Sequence, residues 1–305
     1  MTKLLWTQRT DFGPSPRYAG AAGYDSNRGR TVLFGGASPA NTLLGDTWEW
    51  DGSFWTQMQD TGPSPRFYAA LAYDVSLQVS ILFGGEKDQT LGDTWQWDGT
   101  NWTQLSASGP APRSNHAMAH DSSRKRTVLF GGTAKAIGGG AAGLSDTWEF
   151  DGVNWTQQED TGPAARFGHA MAFDSARNRV VLFGGSANPP AGSFQDTWAW
   201  DGNEWVQIAE FGPAVRWYTS MVSTVAGHLV LYGGISSSAA PLGDTWEFDG
   251  KLWTQQQDIG PGPLSQAHAA FDVARSRVVL FGGYLPDVAG GPVASGSTWE
   301  CAVPP

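Results

Sequence analysis

The 305-residue chain is predicted to be all-β, a six-bladed β-propeller of four-stranded antiparallel blades whose ring is closed by the N-terminal strand. Three observations predict this. A unit of about 50 residues recurs six times with the same landmarks in the same order. Turn residues cut each unit into four short strands, and no stretch of ten or more residues has helical periodicity. The last unit breaks off early, and its missing segment stands at the front of the chain.

Each unit begins with a Gly-Pro segment: GPSPR at 13–17 and 62–66, GPAPR at 109–113, GPAAR at 162–166, GPAVR at 212–216 and GPGPL at 260–264. Strand a is read directly after it, as in RYAGAAGYD at 17–25. Strand b is a β-branched and aromatic run closed by a glycine pair, VLFGG at 32–36 and its five counterparts. Strand c is the Asp-Thr-Trp segment. Asp-Gly then gives a tight hairpin, and strand d is the Trp-Thr-Gln segment. The sixth unit ends at GSTWEC, 296–301, without a strand d. LLWTQ at 4–8 repeats SFWTQ at 53–57, so a strand at 3–8 is expected to pair with residues 297–301. The blades then fall at about 14–60, 61–107, 108–160, 161–210, 211–258 and 259–303 plus 3–8, within a single domain over 1–305. Closure matters because an open stack of sheets leaves two bare faces.

Fifteen of the 16 tryptophans repeat in register, and Trp217 alone falls outside the pattern. Their expected role is packing between blades, where each ring buries on the order of 150–250 Å². The arginines Arg17, Arg66, Arg113, Arg166 and Arg216 close five of the Gly-Pro segments. The sixth blade has Leu264 there, and Ser297 where the others have Asp46, Asp93, Asp146, Asp196 and Asp244. Loss of both charges in one blade predicts an ion pair within each of the other blades. A second acid lies six residues before most of these arginines (Asp11, Asp60, Asp160, Glu210) and competes as partner. A ring of arginines around an anion is the other reading.

The net charge of −10 disfavours nucleic acid and anionic membranes as partners. With one cysteine, Cys301, no intrachain disulfide is possible, and no Cys/His spacing suits a structural metal. The opening residues lack the apolar stretch of a signal peptide, and no run approaches a membrane-spanning length. A cytoplasmic, monomeric protein with no cofactor is expected.

The glycine pairs, the Arg before strand a and the spaced aromatics of strands c and d resemble kelch repeats over essentially the whole chain. The resemblance implies a propeller whose d–a and b–c loops share one ligand-binding face. Kelch-like propellers include ubiquitin-ligase adaptors, galactose oxidase, a sialic acid mutarotase and nitrile-specifier proteins, so the fold leaves function open. The internal evidence agrees on the face. The a–b turns are nearly uniform, whereas the b–c loops vary from 7 to 13 residues. The stretch AIGGGAAG, 136–143, has no following Lys-Ser/Thr and reads as a flexible b–c loop rather than a phosphate loop. The crosslinked Tyr-Cys with a Tyr-His pair of galactose oxidase, and the nitrile-specifier iron motif, are absent.

Three registers of that face differ from blade to blade. Just after the Arg position come Tyr18, Phe67, Ser114, Phe167, Trp217 and Ser265. One residue further are Ala19, Tyr68, Asn115, Gly168, Tyr218 and Gln266, and after the glycine pairs Ala37, Glu86, Thr133, Ser186, Ile235 and Tyr284. Their aromatic, mostly neutral character disfavours an acidic peptide, which kelch adaptors meet with Arg and Ser. It suits a small molecule or glycan bound at an aromatic channel mouth, unless the rings only plug it. His116 and His169 share one register, and His268 lies one position later. They are candidate acid/base groups near pH 7, with Glu86 and Tyr68 as further candidates, in a metal-independent isomerase, mutarotase or cyclase-like enzyme. They are equally readable as kelch packing residues. A protein- or peptide-binding scaffold is the third reading.

Overall fold

The computed structural model describes residues 4–9, 12–58, 61–105, 108–135, 141–158, 161–187, 192–256, 260–285 and 293–303. Among these, six four-stranded antiparallel sheets form a ring, with no helix. The innermost strands a are Ala21–Asp25, Ala70–Asp74, Ala117–Asp121, Ala170–Asp174, Ser220–Ser223 and His268–Asp272. Each touches the strand a of the next blade, and the sixth touches the first. Strands b, such as Arg126–Phe130, and strands c, such as Thr147–Phe150, lie outward, and strands d are outermost.

The sixth sheet is completed by Trp6–Arg9 as its strand d, in the register Trp6 opposite Cys301, Thr7 opposite Glu300, Gln8 opposite Trp299 and Arg9 opposite Thr298. The ring closure expected from LLWTQ is therefore present. Leu4 and Trp6 are buried against Tyr232, Leu264 and Cys301 in the core between the fifth and sixth blades.

The repeated tryptophans join blades by hydrogen bonds as well as by packing. Every strand-d indole N–H donates to the Oγ1 of the strand-c threonine in the preceding blade: Trp6 to Thr245, Trp55 to Thr298, Trp102 to Thr47, Trp155 to Thr94, Trp205 to Thr147 and Trp253 to Thr197, at 2.8–3.0 Å. The second tryptophan of strand c follows a matching rule. Trp50, Trp97 and Trp200 donate to Glu300, Glu49 and Glu149 of the preceding blade. Where that blade offers Gln96 or Ala199 instead, the position is Phe150 or Phe248, which has no N–H to satisfy; the sixth blade departs from the rule, with Cys301 next to Glu247, and Glu247 bonds to His228 and Gln256 instead. Glu300, Glu49 and Glu149 also accept from an arginine of their own a–b turn, Arg275, Arg28 and Arg124.

All five predicted Arg–Asp pairs form, including Arg66–Asp93 at 2.6 Å and Arg166–Asp196 at 2.7 Å. Each is bidentate, and each guanidinium also donates to a backbone carbonyl of the adjacent glycine pair. The arginines are structural struts inside the blades, not a ring around an anion. Of the competing acids, Asp11, Asp60 and Asp160 lie outside the described residues, and Glu210 is exposed while Arg216 pairs with Asp244. Burial pushes the paired aspartates up, but the Arg charge and hydrogen bonds, with a Trp N–H, outweigh it and hold them below the usual value. In the sixth blade Leu264 joins the apolar core instead. Arg113→Leu alone is expected to cost about 3–5 kcal/mol, because Asp146 and the Gly131 carbonyl lose their partner. Arg113→Leu with Asp146→Ser copies the sixth blade and is expected to recover over half of the loss. Equal losses for the single and double variants in urea denaturation would refute this.

Candidate functional site

Strand a does not follow its arginine directly. The residue two after the Arg position is left-handed in every blade: Ala19, Tyr68, Asn115, Gly168, Tyr218 and Gln266 have φ between 54° and 62°. This corrects the sequence-based start of strand a, which lies two residues further on. The turned backbone faces sideways and builds a closed hydrogen-bonded hexagon at the upper mouth. Ala19 N donates to Gln266 O, Tyr68 N to Ala19 O, Asn115 N to Tyr68 O, Gly168 N to Asn115 O, Tyr218 N to Gly168 O and Gln266 N to Tyr218 O. Every bond runs from one blade to the preceding one.

Two of the singular registers are brought together pairwise. Tyr18 bridges Ala37, Phe67 bridges Glu86, Ser114 bridges Thr133, Phe167 bridges Ser186, Trp217 pairs with Ile235, and Ser265 bridges Tyr284. The second glycine of each pair permits this. Gly36 has φ 100°, and a Cβ there would meet the Tyr18 carbonyl at 2.7 Å.

The side chains of the hexagon are unlike. Tyr68 and Tyr218, on opposite blades, stack across the axis with centroids 5.4 Å apart and planes 15° apart. The Tyr68 hydroxyl donates to Gln266 Oε1 at 3.2 Å. Gly168 leaves room for the Tyr218 ring, which a Cβ would meet at 3.0 Å. Burial pushes the Tyr218 phenol up to about 12 and Tyr68 further still, so both stay protonated. Beside them lies a polar sector, with Asn115 Nδ2 donating to Ser114 Oγ and Ser114 Oγ donating to Glu86 Oε2. Asn115 Oδ1 is buried without a hydrogen-bond partner among the described residues. Phe67 stacks obliquely on Tyr68, and Phe167 approaches Tyr218. Tyr284 meets Tyr18 edge-on, and the Tyr18 hydroxyl donates to Asn41.

Under the tyrosines is a cavity of about 160 Å³, lined by His116, His169, Thr219 and the hexagon. His116 and His169 are buried edge-on against Phe83 and Phe130 of the preceding blades. Burial, reinforced by Arg113, holds His116 at about 3. Burial and Arg166 hold His169 well below the usual histidine value. Both shifts move the imidazoles away from the neutral range that the sequence-based reading assigned them, and both come from burial beside an arginine charge. His268 is likewise held at about 3, lines the channel one layer deeper and accepts a 3.4 Å hydrogen bond from Gly20 N. Trp217 is buried away from the mouth cavity. The b–c stretch 136–140 lies outside the described residues.

Sequence reasoning missed the lower end of the channel. There a cavity of about 440 Å³ opens between the a–b turns, walled by Tyr24, Tyr73, His120, Phe173 and Phe271 in one register. The only signal was a recurring aromatic seven residues after the Arg, which reads equally well as core.

The repeated sheets, the Arg–Asp struts and the variable upper loops define a kelch-type propeller. The kelch-repeats domain of KLHDC2, KLHL20 and DRC7 matches residues 43–209 and, in a second alignment, 81–283, and the chain belongs to this family. A solved structure, that of YjhT, superposes with a TM-score of 0.72 at 16% identity, over 93% of this chain and 95% of the other, which shows the shared fold. No curated protein matches the chain. Among the described residues no helix is long and apolar enough to cross a membrane.

Proposed function

We propose that the chain is a non-catalytic binding propeller that takes a small molecule or glycan at its upper mouth. The observation that carries this reading is the Tyr68–Tyr218 stack across the axis, flanked by Asn115, Ser114 and Glu86 on one side and Gln266 on the other. Blade-to-blade repetition governs the layers below, yet this layer departs from it. Aromatic faces with a few fixed hydrogen-bonding groups suit a hydroxylated ring. Acid/base chemistry has less support. Burial weakens the imidazoles as bases and the phenols as acids, moving both away from the match to neutral pH that general acid–base catalysis favours.

Saturation-transfer NMR against a panel of neutral and acidic monosaccharides tests the proposal. Tyr68→Ala and Tyr218→Ala are each expected to weaken binding at least tenfold. Both side chains are only half-buried, so the fold should persist. A panel without binders, or affinities unchanged in both variants, would reject the upper mouth as the site.

A further inference from the structure

We infer that the lower cavity is a second binding site, for an uncharged and mainly apolar small molecule. Its volume of about 440 Å³ lies within the roughly 300–1,000 Å³ of ligand pockets. Its wall is a collar of rings from five blades, Tyr24, Tyr73, His120, Phe173 and Phe271, and the fifth blade breaks the collar with Ser223. Leu71, Met118 and Met171 form the ceiling, where the flexible methionines adapt to the shape beneath them.

The rim is apolar where solvent favours polar residues. Val75, Val225 and Val273 are 43%, 59% and 49% exposed around the opening, in the position that Ser26, Ser122 and Ser175 occupy in the other blades. Three exposed valines around one concavity are an apolar patch with a pocket at its centre.

Charge decides the ligand class. The a–b turns are rich in ionic groups, yet among the described residues no Asp, Glu, Lys or Arg lines the cavity. The strand-end carboxylates turn outward to arginines, Asp25 to Arg28, Asp121 to Arg124, Asp174 to Arg177 and Asp272 to Arg275. Asp74, whose turn has Leu77 in place of the arginine, bonds to the turn's backbone N–H groups and faces His120 at 3.5 Å, behind the wall. A charged ligand would lose part of its hydration and meet no counter-charge, which disfavours it. An uncharged one loses little, and the Ser223 hydroxyl, which donates to the Thr224 carbonyl at 3.4 Å, still offers its oxygen as an acceptor to orient it.

A matched pair of probes tests this. N-phenyl-1-naphthylamine is neutral, and 8-anilinonaphthalene-1-sulfonate is the same skeleton with a negative charge. The neutral probe is expected to bind the whole chain saturably, one per chain, with at least tenfold higher affinity than the sulfonate. Ser223→Phe completes the collar with the residue type of its neighbours, and Val225→Asp charges an exposed rim position. Each is expected to weaken the neutral probe at least tenfold with an unchanged melting temperature. Non-saturable binding, equal affinities for the two probes, or full affinity in both variants would overturn the assignment. Loss of upper-mouth binding in Tyr68→Ala or Tyr218→Ala is read with monosaccharides, so the two sites fail or succeed separately.

Discussion

Trp6→Ala is expected to lower stability by about 3–5 kcal/mol, the usual loss for a buried large aromatic, and the melting temperature by roughly 10 °C. The residue is 7% exposed, meets Tyr232 edge-on at 5.1 Å and donates its indole N–H to Thr245 of the fifth blade. It does for the last blade what Trp55, Trp102, Trp155, Trp205 and Trp253 do for the others. Removing residues 1–9 is expected to be worse. Strand Thr298–Ala302 would become a bare edge, and Glu300 would lose the Arg9 guanidinium. Phe12→Ala is the control, since Phe12 is fully exposed. Equal thermal denaturation midpoints for the Trp6 and Phe12 variants would contradict a structural role for the closing strand.

Stability is expected to fall steeply with acid from about pH 6.5 downward. His116 and His268 have folded-state values near 3, and His169 is also far below the 6.5 of an unfolded histidine. Between the folded and unfolded values the unfolded chain binds more protons, so each group's contribution is intact above pH 6.5 and is lost as pH falls towards 3. The slope is at most about 1.4 kcal/mol per pH unit per histidine. The aspartates of the Arg pairs add to the loss only below about pH 4, because their depressed values lie under the ordinary aspartate value. Urea midpoints between pH 7.5 and 5 measure the slope. His120 is also lowered by burial and adds to the slope, so His116→Ala, which copies Ala69 and Ala267 in its register, is expected to remove only one histidine's share of it. A flat profile between pH 7 and 5 would show that these imidazoles are hydrated in the folded state.

The ring and its closure were legible in the residues because LLWTQ is nearly a verbatim copy of the other strand-d segments. The Arg–Asp struts were legible because Leu264 and Ser297 lose both partners together. The left-handed turn was hidden, since Ala19, Tyr68, Tyr218 and Gln266 are not residue types that announce positive φ; only Asn115 and Gly168 are. That turn is imposed by the hexagon of inter-blade hydrogen bonds, a tertiary constraint. The Tyr68–Tyr218 stack was hidden for a related reason: it depends on two blades facing each other across the axis. The histidines line the channel, and their burial depends on Phe83 and Phe130 in neighbouring blades, which the sequence of one blade does not show.

The pairing of each strand-c indole with a carboxylate next door gives the ring an address system. Wedges built from one template are liable to dock out of sequence while the chain is still assembling. If the fifth blade stood after the sixth, Phe248 would face Glu300 and leave that carboxylate without its indole donor; if the first stood after the fourth, Trp50 would face Ala199 with an N–H unanswered. A wrong neighbour that sets an indole against Ala199 or Gln96 is thus penalised by an unsatisfied N–H, and a chimera made by shuffling these modules should fold in proportion to how many Glu–Trp matches it keeps.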